Sequence, residues 1–213
     1  QVVFKGTPQT KFNKETGEVK HFLGEGDVGL DIGTSTIAIS SKTNVRLLIL
    51  ADKTQNIEDE KCRLLRKMDR SRRATNPENY NEDGTIKKQV SKKVAWNKSN
   101  HYVKYQNQLK ELYRKQTDVR KYQHKCLANY IISLGNNIYV EQMNFAGLQK
   151  KVAKTEKNDY GRFKRKKRFG KSLANRAPAM LMAIINRKLA YYGLKLIEIN
   201  TYKAKASQFN HIT

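Results

Sequence analysis

Apolar and polar residues alternate along the early part of the chain and then change to helical spacing, and the changeover sets the map of elements. In Asp27-Val28-Gly29-Leu30-Asp31-Ile32, the apolar Val28, Leu30 and Ile32 share one face. Asp27, Gly29 and Asp31 share the other, which predicts a strand covered on one side. Gly33 predicts a turn, and residues 35–41 predict a second strand with Ile37 and Ile39 aligned. Residues 45–51 predict a third, apolar enough for the middle of a sheet. Three consecutive strands with short connections read as a meander. Ahead of them, residues 1–4 read as a strand, and the Lys14-Glu15-Thr16-Gly17-Glu18 turn predicts a hairpin leading in over residues 1–26.

From residue 56 to 73 the period is helical, with Cys62, Leu65 and Met68 on the apolar stripe and Arg63, Arg66, Lys67 and Arg70 elsewhere. Asn76-Pro77 stops this helix, and Asp83-Gly84 marks a loop. Residues 98–133 predict a long second helix. Its stripe is Tyr102, Tyr105, Leu109, Leu112, Val119, Cys126 and Tyr130, interrupted by Gln116 and Gln123, so a packed helix pair is expected and not a clean coiled coil. Gly135 ends it. Residues 137–141 read as a buried strand with Ile138 and Val140 inward and Glu141 at its end. Residues 142–174 read as a basic loop region. Residues 176–192 form a helix with Met180, Leu181, Ile184, Ile185 and Leu189 inward, closed by Gly193, and 194–199 form the last strand. There are no internal repeats. Three strands, a helical insert, strand, helix, strand is the order of an α/β, RNase H-like fold: a mixed sheet with an inserted antiparallel helical pair. The divisions are 1–26 (lead-in), 27–55 (first part of the sheet domain), 56–133 (helical insertion) and 134–213 (second part).

Charge changes the picture next. Lys and Arg number 43 against 19 Asp and Glu, a net charge of +24 on 213 residues. Solubility needs far less, whereas cations that neutralise phosphates gain affinity by releasing condensed counterions. An acidic membrane surface is the competing partner. With no apolar run of about 18 residues and no lipidation signal, nucleic acid is favoured and no membrane is expected. The two cysteines, Cys62 and Cys126, are too few for a disulfide scaffold and too far apart for a zinc knuckle. Both fall in predicted helices and read as reduced, structural residues of an intracellular, nucleoid-associated protein. His101 and His124 lack metal-ligand spacing and read as helix-surface residues.

Two carboxylates stand out by position. Asp31 lies on the non-core face of the first strand, just before the turn, and Glu141 ends the fourth. In an RNase H-like sheet these strands are neighbours, so the two acids can converge on Mg²⁺ or Mn²⁺, hard cations that take oxygen ligands. Two such ions about 3.5–4 Å apart activate water and stabilise the leaving oxygen in phosphodiester cleavage. Taken singly, each acid reads more readily as a turn, cap or solvated strand-end residue than as a metal ligand. The run Arg162, Phe163, Lys164, Arg165, Lys166, Lys167, Arg168 is either a solvated loop or, with Tyr160, Phe163 and Phe169 interleaved, a strip that holds phosphates while stacking bases.

Gly29-Leu30-Asp31-Ile32-Gly33 followed by Ile37-Ala38-Ile39 resembles the first RuvC motif of the TnpB (OrfB) family of transposon-encoded proteins. Tyr139-Val140-Glu141-Gln142-Met143-Asn144-Phe145-Ala146-Gly147-Leu148 is similar to the second motif. Leu64-Leu65-Arg66-Lys67-Met68-Asp69-Arg70 and the His124-Lys125 pair resemble the helical segment between them. Leu189-Ala190-Tyr191-Tyr192-Gly193, Ile197-Glu198-Ile199-Asn200 and Lys205-Ala206-Ser207-Gln208 resemble the stretch leading to the family's zinc ribbon. The match covers residues 27–213. The resemblance implies a RuvC-type nuclease in an RNA-guided DNA endonuclease related to type V CRISPR effectors, with DNA and a guide RNA as partners. It makes Asp31 and Glu141 the first two of three metal-binding acids. Where the family carries cysteines, this chain has Phe209-Asn210-His211, so no zinc is expected in this segment. The third acid is expected beyond Thr213.

Two other readings compete. Asp31-Ile32-Gly33-Thr34-Ser35-Thr36 also fits the first phosphate loop of actin-like and sugar-kinase-like ATPases, but their second phosphate loop and adenosine-binding glycine segment are not found. A basic nucleic-acid-binding module with a decayed nuclease fold predicts salt-dependent binding without cleavage.

Overall fold

The computed structural model describes residues 6, 11–87, 95–150, 157–162 and 169–200. Strands β1 (Asp27–Ile32), β2 (Thr36–Ser41), β3 (Val45–Ile49), β4 (Asn137–Glu141) and β5 (Ile197–Ile199) form one sheet in the order β3-β2-β1-β4-β5. The β1–β2 and β2–β3 pairs are antiparallel; β1–β4 and β4–β5 are parallel. Helices α1 (Glu58–Thr75), α2 (Asn100–Leu134), α3 (Phe145–Gln149), α4 (Gly170–Arg176) and α5 (Pro178–Ala190) complete an α/β protein with a mixed five-stranded sheet. Tight turns suffice for the antiparallel strands, while a parallel pair needs a crossover. The β3-to-β4 crossover carries α1 and α2. Two compact units result: Gln1–Lys53 with Arg120–Thr213, and Thr54–Val119.

In the sheet unit, Val28, Leu30, Ile32, Ile37, Ile39, Ile138 and Val140 are buried against Ala128, Ile131 and Ile132 of α2 and Leu181, Ile184, Ile185 and Leu189 of α5. Each such side chain contributes about 1.5–3 kcal/mol when fully removed from water. The intervening residues of β1 (Asp27, Gly29, Asp31) are exposed. Helices thus cover one face of the sheet, and this strict alternation is why β1 and β4 were legible as strands. The apolar third strand lies at the edge and not in the middle. Val45, Leu47 and Ile49 are 78%, 74% and 57% exposed. An apolar run shows that a strand can form, whereas its neighbours decide whether it is flanked on both sides.

The expected helix over 176–192 is α5 (Pro178–Ala190), and a separate short helix, α4 (Gly170–Arg176), precedes it. Ala177 adopts φ 45°, ψ 58°, ending α4 and opening α5 at Pro178. The pyrrolidine ring removes the donor and disfavours the helical region for the preceding residue, so the break is written in Ala177-Pro178. The region 142–174, read as loop, includes α3 and the start of α4. The lead-in turn is present, with Phe12 bridged to Val19 and Gly17 at φ 70°; the strand read over residues 1–4 lies outside the described residues.

In the helical unit α1 and α2 run antiparallel. Gln116 Nε2 donates to the Gln55 carbonyl, Lys67 stands over the Tyr105 ring, and Ser71 Oγ meets Ser99 Oγ, so positions rise along α1 as they fall along α2. Asn76, fully buried, stops α1 by donating to the Arg72 and Asn97 carbonyls and accepting from Asn97 N. Met68 of the expected α1 stripe is buried, together with Leu64, whereas Leu65 is 44% exposed and Cys62 exposed.

The α2 stripe also differs from expectation. Val119 and Cys126 are exposed, while Gln116, Arg120, His124, Ala128 and Ile132, at four-residue steps, are buried. Tyr102, Tyr105, Leu109, Leu112 and Tyr130 of the expected stripe are half-buried, so the apolar count locates the packed side over part of the helix and misses the polar residues that share it. Both cysteines are surface thiols and not buried hydrophobes, and His124 is fully buried and not a surface residue. Among the described residues no helix is long and apolar enough to cross a membrane.

Candidate active site

The β1–β4 register pairs Asp27 with Asn137, Val28 with Ile138, Gly29 with Tyr139 and Leu30 with Val140. The next position on each strand is a carboxylate, Asp31 and Glu141. Adjacent strands lie about 4.8 Å apart, so the register carried on by one residue sets these acids across from each other. That they share a face follows from the other end of the ladder. Asn137 Nδ2 donates to Asp27 Oδ1 at 3.0 Å on the uncovered side, and Asp31 and Glu141 stand four residues further on each strand, on the same side of the pleat. Asp31 is exposed and Glu141 half-buried. Across the sheet Asp31 faces Ala38 of β2, and Glu141 faces Ile199 of β5. On this face Gly29 and Ala38 add little bulk beside Asp31, whereas Tyr139, the partner of Gly29, and Ile199, the partner of Glu141, flank Glu141.

The electrostatics are uneven in a protein of this charge. Arg72 and Arg73 are paired with Asp69, and Arg114 with Glu111 and Asp118, all in the helical unit. The two Arg hydrogen bonds outweigh burial and hold Asp69 below the usual carboxylate range. Among the described residues no cation holds Asp31 or Glu141. Two carboxylates at this register step offer oxygen donors of the kind a hard divalent ion takes. No group of three or more His, Cys, Asp or Glu side chains converges among the described residues.

The turn that follows β1 is tightly held. Gly33 N donates to the Thr36 carbonyl at 2.9 Å, Leu50 N to the Ser35 carbonyl at 2.8 Å, and Ser172 Oγ of α4 to the Thr34 carbonyl at 3.1 Å. An ATPase-type phosphate loop needs its amides directed at the ligand, and here the Gly33 amide is committed within the turn. Beyond Glu141, Asn144 caps α3 by accepting from Gly147 N at 2.8 Å.

Of the basic run, Arg162 is described. Its amide donates to Asn158 Oδ1 at 2.8 Å in a turn with Gly161 at φ 71°, and the residue is exposed. Tyr160 is 88% exposed and Phe169 37%. Phe163, Lys164, Arg165, Lys166, Lys167 and Arg168 lie outside the described residues. The run is joined in sequence to α4, whose Ser172 is tied to the turn after Asp31.

Sequence reasoning missed three residues here. Arg120 donates to the Ala174 and Asn175 carbonyls, His124 Nε2 lies 2.8 Å from the Arg176 carbonyl, and Arg176 Nη1 donates to the carbonyls of Leu50 (3.0 Å) and Ala51 (2.7 Å). A carbonyl only accepts, so Nε2 carries the proton. Burial, reinforced by the nearby Arg120, holds the imidazole below its usual range. The one signal available was the four-residue spacing of Arg120 and His124 with Ala128 and Ile132.

No described protein family matches the chain, and no curated protein matches it significantly.

Proposed function

We propose that this chain is the RNase H-like segment, with its helical insertion, of a metal-dependent nuclease. The order β3-β2-β1-β4-β5, with three antiparallel strands continued by two parallel ones, supports that class. Within it, the motifs around Asp31 and Glu141 support a RuvC-type domain of a TnpB (OrfB)-like, RNA-guided DNA endonuclease. One observation carries the reading: Asp31 and Glu141, 110 residues apart in sequence, each stand one residue past the Leu30–Val140 register pair, and among the described residues no cation is paired with either.

Both acids offer hard oxygen donors that fit Mg²⁺ or Mn²⁺. A divalent ion bound there supplies Lewis acidity to a phosphodiester oxygen and acidifies a bound water. The chain's own part is to hold Asp31 and Glu141 at fixed separation on rigid strands and to leave Gly29 and Ala38 as a flat approach for the backbone. The net charge of +24 supplies sequence-independent phosphate affinity, and Arg162 with the neighbouring basic residues extends it.

The test combines the full-length protein and the RNA encoded beside its gene with matched DNA in Mg²⁺. Asp31→Asn and Glu141→Gln are each expected to abolish cleavage while binding persists. Cleavage at the wild-type rate by either variant overturns the reading. Tight, salt-sensitive binding by the wild type with no cleavage in Mg²⁺ or Mn²⁺ makes the chain a binding module.

A further inference from the structure

Among the described residues, Ala51 (φ 46°) and Ala177 (φ 45°) are the two non-glycine residues with positive φ. Such conformations are strained for a residue with a Cβ and persist where surrounding contacts over-determine them. A single polar knot grips both. Arg176, the residue before Ala177, donates through Nη1 to the Ala51 and Leu50 carbonyls. The Arg176 carbonyl in turn accepts from His124, and Arg120 caps the Ala174 and Asn175 carbonyls. These are the last carbonyls of α4, which lack partners within the helix and form its negative end.

The knot does not stop there. Leu50, whose carbonyl Arg176 holds, donates its amide to the Ser35 carbonyl, and α4, whose C-terminus Arg120 and His124 hold, sends Ser172 Oγ to the Thr34 carbonyl. Two routes therefore run from buried side chains on α2 and half-buried ones on α4 to successive carbonyls of the turn after Asp31. Local packing at the α4–α5 break needs neither route.

We propose that His124 and Arg176 are positioning residues: they lock the α4–α5 break and, through Leu50 and Ser172, fix the turn that sets where Asp31 projects. The mechanical part stands on the bonds above; its consequence for a metal at Asp31 rests on the nuclease reading. His124 touches no reacting group. Its task is to donate from Nε2 to one carbonyl while staying uncharged, and the Nε2 of a glutamine at the same position does the same.

The experiment measures amide hydrogen exchange of Gly33 and Leu50 in the intact protein, with β1 and β4 amides as internal references and Mn²⁺ affinity as a second readout. His124→Leu is expected to speed exchange at Gly33 and Leu50 at least tenfold with β1 and β4 unchanged, and to weaken Mn²⁺ binding. His124→Gln restores both. Exchange at Gly33 and Leu50 equal to wild type in a folded His124→Leu protein overturns the proposal, as does a His124→Gln protein no better than His124→Leu. Should His124→Leu fail to fold, Ser172→Ala severs one route alone, and unchanged Gly33 exchange there is equally fatal. Faster exchange without any metal binding leaves the positioning role intact and defeats the nuclease reading instead.

Discussion

Asp31 stands across from Glu141 on the uncovered face of the sheet, one step past the Leu30–Val140 pair that closes the β1–β4 ladder. Like charges in such a place destabilise a sheet by a few tenths to about 1 kcal/mol. Asp31→Asn is therefore expected to match or exceed the wild-type Tm while losing cleavage. Adding Mg²⁺ or Mn²⁺ at a hundredfold excess over its dissociation constant stabilises the wild type by about 2.7 kcal/mol and leaves Asp31→Asn where it was. A thermal melt of both proteins with and without metal checks this; equal metal-induced shifts would falsify the site.

The register depends on a close approach at the start of β4. A Cβ added at Gly135 would lie 2.4 Å from the Gly26 carbonyl oxygen and 2.8 Å from Val28 Cγ2. The first contact is backbone, so relief requires the chain to move. Gly135→Ala is expected to cost about 1–3 kcal/mol as an overpacking change, and to reduce metal affinity by displacing β4, and Glu141 with it, from β1. Chemical denaturation and Mn²⁺ titration measure the two effects. A stable variant with wild-type affinity would show that the approach is slack.

Stability should fall on mild acidification because of His124. Burial, with Arg120 beside it, holds its folded-state pKa below the ordinary value near 6.5. The unfolded chain then binds the extra proton first. The stability contribution is complete above about pH 6.5 and is lost as pH falls from there toward the folded pKa, with a slope of at most about 1.4 kcal/mol per pH unit. His124→Gln removes that slope. Denaturant midpoints from pH 7.5 to 5 compare the two, and parallel curves would exclude His124 as the source.

Asn144→Ala should loosen α3 without unfolding the sheet. The side chain caps a five-residue helix through Gly147 N, and losing such a cap costs about 1 kcal/mol. Faster amide exchange confined to residues 145–149 is the expected result, with Asn144→Asp retaining most of the protection. Spread of the change into β4 would mean that α3 supports Glu141.

The sequence alone determined the strands β1, β2, β3 and β4, the α1, α2 and α5 segments and the strand-end positions of both acids. Alternation and helical spacing are local properties, and Val28, Leu30 and Ile32 have one face to bury wherever the strand goes. Tertiary structure decided what depends on neighbours. Val45, Leu47 and Ile49 look central in composition but lie at the edge, because pairing is a relation between strands and not a property of one. Gln116, Arg120 and His124 took the inward face of α2, because hydrogen-bonding polar groups are buried wherever partners await them, and for Arg120 and His124 the partners are carbonyls more than 50 residues away. The meeting of Asp31 and Glu141 belongs to both accounts. Each acid was visible at its strand end, and the parallel β1–β4 register, which no local pattern encodes, set them side by side.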